Sequence, residues 1–197
     1  SGTSPVFAVR ADDAYVQGTQ TLSVGVSSTT GGNFEALTTT STASSTVTDD
    51  ADATTVSVSA SAASVTEGGS VVYTATVSSA VTGSPLVINL SNGQQITIPV
   101  GQSSGTSAAF AVRADDAYLQ GTQTLNVTIT GTTGGNFEAV TPAGTATTTV
   151  SDDADPTTVT LTASAATVAE GGSITYTATL SNAVTGSPLV ITLTNGQ

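Results

Sequence analysis

The chain has 197 residues, with 14 Asp and Glu against two Lys and Arg, a formal charge of −12, and no His, Cys, Met or Trp. These absences exclude Ser-His-Asp or Cys-His nucleophile pairs and the usual zinc sites, and with Arg10 and Arg113 as the only cations the electrostatic footprint of nucleic-acid binding is missing. No stretch approaches the roughly 18–20 apolar residues of a membrane helix, yet 38% of the residues are apolar, so the chain reads as folded. The absence of Cys fits a reducing compartment, or an extracellular protein stabilised by something other than disulfides.

The first motif met, FAVRADDAY at Phe7, recurs at Phe110, 103 residues on (110 − 7). GGNFEA at Gly31 and Gly134, and EGGS at Glu67 and Glu170, repeat with the same step. When residues 1–94 are overlaid on 104–197, 67 of 94 positions are identical, which means a tandem array. The period is too long for a solenoid and fits one domain of about 100 residues per repeat. Residues 1–52 are then the second half of one repeat, 53–155 a complete repeat, and 156–197 the first part of a third.

In chain order, residues 1–52 carry strands E to G. The complete repeat carries strand A at 54–65, B at 70–78 with Val71, Tyr73, Ala75 and Val77 inward, and C at 86–91 with Leu86, Ile88 and Leu90 inward. It continues with D at 95–100 (Ile96, Ile98, Val100), E at 106–113 (Phe110, Val112), F at 122–130 (Leu125, Val127, Ile129) and G at 145–151. Residues 156–197 repeat A to C. Alternation of apolar residues with Thr and Ser is the pattern of half-buried antiparallel strands, and NGQ at 92–94 is a hairpin signal between C and D. Pro85 and Pro99 fall at strand ends, where a missing N–H is tolerable. No helical stripe occurs. Seven short strands in about 100 residues predict an all-β fold of tandem immunoglobulin-like antiparallel β-sandwiches. Tyr118, just before F, stands either as a corner tyrosine bonding back to the chain or as an ordinary half-buried one.

Strand parity places the acidic residues. In an up-and-down traverse the A–B, C–D and E–F turns and the end of G share one pole. Glu67, Asp115, Asp116, Asp152, Asp153 and Asp155 therefore gather where the chain passes into the next domain, and Asp12, Asp13, Asp49, Asp50 and Asp52 form the same group one repeat earlier. Glu35 and Glu138, in the F–G turn, fall at the opposite pole, facing the previous domain's cluster; Glu138 and Glu170 are further candidates. So many carboxylates repel strongly and require a cation that a single Arg cannot supply. Hard oxygen ligands from several turns suit Ca²⁺, with Mg²⁺ second because it demands a tighter octahedron. The competing reading is that the Asp-rich turns are solvated loops with good turn chemistry.

VTEGGS, VRADDAYLQGTQTLNVTI and TTTVSDDAD, spread over 54–155, resemble the Calx-β type of calcium-binding sandwich. That resemblance implies Glu67, Asp115, Asp116, Asp152, Asp153 and Asp155 as ligands. Gln120, and Gln17 in the earlier copy, stand where that family commonly has another acidic residue, which implies a weakened ligand or fewer ions. Through VTEGGSVVYTATVS, GSPLVINLSNGQQITIPVGQ and TGGNFEA, the whole chain resembles the tandem extender repeats of giant LapA-like biofilm adhesins exported by type I secretion. The resemblance implies a calcium-stiffened, non-enzymatic spacer on the bacterial surface, partnered by neighbouring repeats of its own chain. Each repeat would add roughly 40 Å, the length of a 12-residue strand. Paired carboxylates could serve an enzyme, but these sit at a domain junction and few aromatics are present to grip a sugar. Thr-rich faces such as ATTTV at 146–150 could bind carbohydrate or ice, although Thr is also simply a good strand residue. The incomplete ends either complement one another head to tail between molecules or are a window on a longer filament.

Overall fold

A computed structural model describes residues Ser1–Gln197, and every regular element in it is a strand. The first repeat holds β1 (Gln20–Gly25) and β2 (Thr42–Val47). The complete repeat runs through β3 (Ala53–Ala60), β4 (Ser64–Thr66), β5 (Ser70–Val71), β6 (Tyr73–Val77), β7 (Leu86–Leu90) and β8 (Gln95–Ile98). It goes on with β9 (Ser104–Thr106), β10 (Phe110–Ala111), β11 (Gln123–Val127), β12 (Ile129–Thr133), β13 (Ala139–Ala143) and β14 (Ala146–Ser151). The last segment holds β15 (Val159–Ala163) and β16 (Tyr176–Leu180).

The chain divides into two compact units, one comprising Ser1–Ser61, Val72–Ala108 and Val127–Ala146, the other Ala62–Val71, Ala109–Asn126 and Thr147–Gln197. The first unit contains the antiparallel hairpin β1–β2, a four-stranded sheet ordered β13-β3-β6-β9 and a three-stranded sheet ordered β12-β7-β8. Period-two patterning decides which faces are dry. Val56, Val58, Tyr73, Ala75 and Val77 of the larger sheet are buried, as are Leu86, Ile88, Leu90, Ile96 and Ile98 of the smaller. Each fully buried aliphatic side chain of this kind stabilises by about 1.5–3 kcal/mol, so these two faces form the core of a β-sandwich. The sheets meet closely at Gly105, where a Cβ would lie 2.5 Å from the Thr97 carbonyl oxygen. Between β7 and β8, Gly93 takes φ 83°, donates to Leu90 O at 3.0 Å, and lets Leu90 N reach Gln94 O at 2.9 Å, the hairpin that NGQ predicts. The second unit contains a three-stranded sheet ordered β11-β14-β4 and the pairs β10-β5 and β15-β16.

Several strands depart from their expected extents. Strand A breaks after Ala60, and its two parts join different sheets, β3 beside β6 and β4 beside β14. Strand E also breaks: Ser107 Oγ accepts the Tyr73 N–H at 3.0 Å while β10 pairs with β5. Strand F is interrupted at Thr128, whose N–H bonds Ser91 Oγ at 3.1 Å. Val100, expected inward, is exposed because the chain turns at Gly101, φ 84°. β13 is an additional strand that Pro142 and its small neighbours conceal from pattern reading. Not all pairing is antiparallel: β13 runs parallel to β3 and β14 parallel to β4. β13 and β14 follow one another with only Gly144 and Thr145 between them, and each runs in the direction of the part of strand A beside it.

Candidate functional site

The turn from β4 to β5 carries Glu67 and is tied to two other segments by main-chain bonds. Glu67 N donates to Ser151 O at 3.0 Å, Gly68 N to Arg113 O at 2.9 Å and Val112 N to Gly69 O at 3.1 Å. Gly68, at φ +74°, has no space for a side chain, since a Cβ would lie 2.9 Å from Asp115 Cβ. Glycine here satisfies the left-handed backbone and admits the aspartate. The three lashed segments bring Glu67, Asp115, Asp153 and Asp155 together, one carboxylate oxygen from each within 4.8 Å of the others.

Arg113 is the only cation beside them. Its Nε pairs with Glu67 Oε2 at 2.7 Å and its Nη2 with Asp152 Oδ1 at 3.2 Å. The Glu67 side chain is 0% exposed, and its second oxygen, Oε1, is buried without a hydrogen-bond partner. A buried carboxylate oxygen that no donor faces is costly unless a positive charge meets it. Asp116 and Asp152 lie outside the four-carboxylate group. Asp116 accepts the Tyr118 N–H at 2.8 Å and the Gln120 side-chain amide, and Asp152 accepts the Gln120 N–H at 3.0 Å besides Arg113. The charge of Asp115, then burial and the charge of Asp153, push the Asp155 carboxyl above its ordinary range.

One repeat earlier the same arrangement recurs. Asp12, Asp50 and Asp52 place carboxylate oxygens within 4.8 Å of one another, beside a cleft of about 140 Å³ lined by Arg10, Asp13 and Asp49 among others. Arg10 pairs with Asp49 at 2.8 Å and caps Gly18 O at 2.7 Å. Asp13 accepts the Tyr15 N–H at 2.9 Å and the Gln17 side-chain amide, and Asp49 accepts the Gln17 N–H at 2.7 Å. Asp12 is raised by the charges of Asp50 and Asp52, whereas the Gln17 N–H, followed by Arg10, leaves Asp49 lowered. Glu138 reaches this earlier cluster from the segment joining β12 and β13. Its Oε2 accepts the Asp52 N–H at 2.6 Å, and its Oε1 is buried without a partner. Although the Asp52 N–H lowers the Glu138 pKa, burial and the charges of Asp49, Asp52 and Asp50 raise it on balance. Glu170, by contrast, is exposed and belongs to neither group.

Three contributors do not follow from the spacing of the acidic residues. Arg10 and Arg113 orient acidic side chains, which their shared place in VRADD signals; Gly68 admits Asp115; and the tyrosines act between repeats. Tyr118 OH donates forward to Ala183 O at 3.1 Å, and Tyr15 OH to Ala80 O at 2.6 Å. Neither makes a corner bond back to its own strand.

No curated protein and no solved structure matches the chain. The LapA domain family matches it over residues 52–153 and again over 155–197. Two successive blocks in the register of the internal repeat span most of the length, so the chain belongs to the LapA domain family, a family related to biofilm adhesins.

Proposed function

We propose that the chain is an extender, a spacer segment of a bacterial surface adhesin whose repeat junctions are stiffened by calcium. Membership of the LapA domain family, related to biofilm adhesins, supports this reading of a structural, non-enzymatic protein at the cell surface or in the extracellular space. The observation that carries the calcium reading is Glu67: a wholly buried carboxylate with one oxygen on Arg113, the other facing no donor, amid three further carboxylates. That donor set fits a hard divalent cation, and the irregular all-oxygen arrangement fits Ca²⁺ better than Mg²⁺. Glu67, Asp115, Asp153 and Asp155 would hold it, with Asp12, Asp50 and Asp52 as the earlier copy. When bound, it supplies positive charge that joins the end of one repeat to the linker leading into the next. Glu138, supplied by the following repeat, adds a carboxylate across that linker. Asp13, Asp49, Asp116 and Asp152 orient the surrounding turns.

Calorimetric titration of the metal-stripped chain should give saturable heat at or below millimolar calcium and a weaker response to magnesium. Silence through millimolar calcium removes the cation from the account. Small-angle scattering with and without chelator tests the stiffening separately, since an unchanged maximum dimension refutes it even where calcium binds. In a compartment poor in calcium the clusters would repel and disfavour the folded state until export; refolding equally fast in chelator refutes that corollary.

A further inference from the structure

We infer that neighbouring repeats are also joined by an uncharged aromatic clasp, in which Ala14–Val16 of one repeat docks onto two turns of the next and holds without metal. The clasp goes beyond the calcium reading and does not depend on it. Tyr15 stacks on Phe137 with ring centroids 5.5 Å apart and planes at 24°. The Tyr15 hydroxyl donates to Ala80 O at 2.6 Å, in the turn after β6. Main-chain bonds flank the rings: Val16 N donates to Asn136 O at 3.1 Å and Glu138 N to Ala14 O at 3.2 Å, forming an antiparallel bridge between Tyr15 and Phe137. This is strand addition in miniature, with main-chain bonds supplying register and an aromatic side chain supplying selectivity.

The receiving surface is built for its guest. Gly134 packs so tightly that a Cβ would lie 2.2 Å from Pro85 O, and a Cβ on Gly83 would lie 2.9 Å from Asn136 Cβ. Asn136 is the one non-glycine residue at positive φ, 52°, a conformation that persists where its surroundings over-determine it. There its carbonyl meets Val16 N, and its side-chain amide donates to Val16 O at 3.5 Å. Phe137, stacked with Tyr15, is 9% exposed. The hydroxyl bond recurs from Tyr118 to Ala183 O. Both halves of the clasp recur in the sequence with the repeat, ADDAY at Ala11 and Ala114, VTGSP at Val81 and Val184, and GGNFE at Gly31 and Gly134. The partner this surface fits is therefore the Ala-Tyr-Val or Ala-Tyr-Leu segment of a preceding repeat.

Backbone amide exchange followed by NMR on the whole chain in chelator tests the clasp. The Val16 and Glu138 amides should exchange at least tenfold more slowly than in an unstructured peptide. Tyr15→Ala should abolish that protection at both amides while leaving Val56 and Ile88 as slow as in the parent, because Tyr15 lies outside the core they share. Tyr15→Phe keeps the ring and loses the hydroxyl bond, and should exchange at an intermediate rate. Equal protection in Tyr15→Ala and parent overturns the clasp. Protection that arises only when calcium is added overturns its independence from metal and leaves the cation reading standing.

Discussion

Replacing Arg113 with Met removes the one positive charge touching Glu67 and Asp152 while keeping an apolar stem of similar length. The Glu67 side chain is 0% exposed, Arg113 16% and Asp152 13%, with contacts of 2.7 and 3.2 Å. Deleting one partner of such a shielded pair leaves an uncompensated buried charge, at about 3–5 kcal/mol. For about 100 residues the unfolding entropy is roughly 0.2 kcal/mol per kelvin, so the midpoint should fall by roughly 14–23 °C. Circular dichroism melts in chelator measure this directly. Calcium should recover part of the loss, because a cation at Glu67 Oε1 compensates the charge that Arg113 no longer meets. Arg10→Met offers an internal comparison: its side chain and that of Asp49 are 21% and 25% exposed, and solvent screening should make the drop much smaller. An Arg113→Met chain that melts within about 3 °C of the parent in chelator refutes the ion-pair account.

Glu67→Gln conserves volume and removes the central charge; calorimetry should show calcium affinity lowered at least tenfold, and an unchanged affinity would remove Glu67 from the site. Asp12, Asp155 and Glu138 are raised in the folded chain, so it binds more protons than the unfolded chain between the ordinary carboxylate range and the raised values. Metal-free stability from these groups thus falls as pH rises through that window. Asp49, being lowered, acts oppositely: its contribution is present above the ordinary range and lost as pH falls through its folded value. On the calcium reading, binding to these raised carboxyls displaces protons, so titrations in two buffers of different ionisation enthalpy should show more proton release just above the ordinary carboxylate range than at neutral pH; equal release at both refutes the assignment. Gly105→Ala would set a Cβ 2.5 Å from the Thr97 carbonyl oxygen. Overpacking of about 1–3 kcal/mol should lower the melting midpoint by roughly 5–14 °C. Gly131→Ala, whose nearest neighbour would be Asn89 Nδ2 at 3.9 Å, should melt like the parent, and equal melting of both variants refutes the close sheet contact at Gly105.

Period-two alternation was legible because one face of each strand is dry: Val71, Tyr73, Ala75 and Val77 are all buried as their spacing predicts. What alternation does not encode is where a strand leaves one sheet for another. The breaks at Ser61–Ala63, Ser107–Ala109 and Thr128 are set by pairing partners distant in sequence. β13 escaped notice because Pro142 and short side chains suppress the apolar rhythm, while its pairing to β3 supplies the hydrogen bonds. Parity counting brought Glu67, Asp115, Asp153 and Asp155 to one end, since it needs only strand number and direction. It is blind to rotamers, and so could not see Asp116 and Asp152 turned toward Tyr118, Gln120 and Arg113. Nor does spacing show that a phenol hydroxyl reaches a carbonyl in the following repeat.

The parallel registers of β13 on β3 and of β14 on β4 have a consequence under load. A pull that separates the two ends of the repeat draws β3 and β13 in opposite senses along their own axes. Five register pairs, Ala139↔Ala53 through Ala143↔Ser57, are then sheared together instead of unzipping one by one, and the three pairs of β14 with β4 are strained in the same sense. Rupture under tension is governed by the unfolding rate more than by equilibrium stability, and this strand order puts the hydrogen bonds crosswise to a pull along the strands, so they must break together instead of in turn.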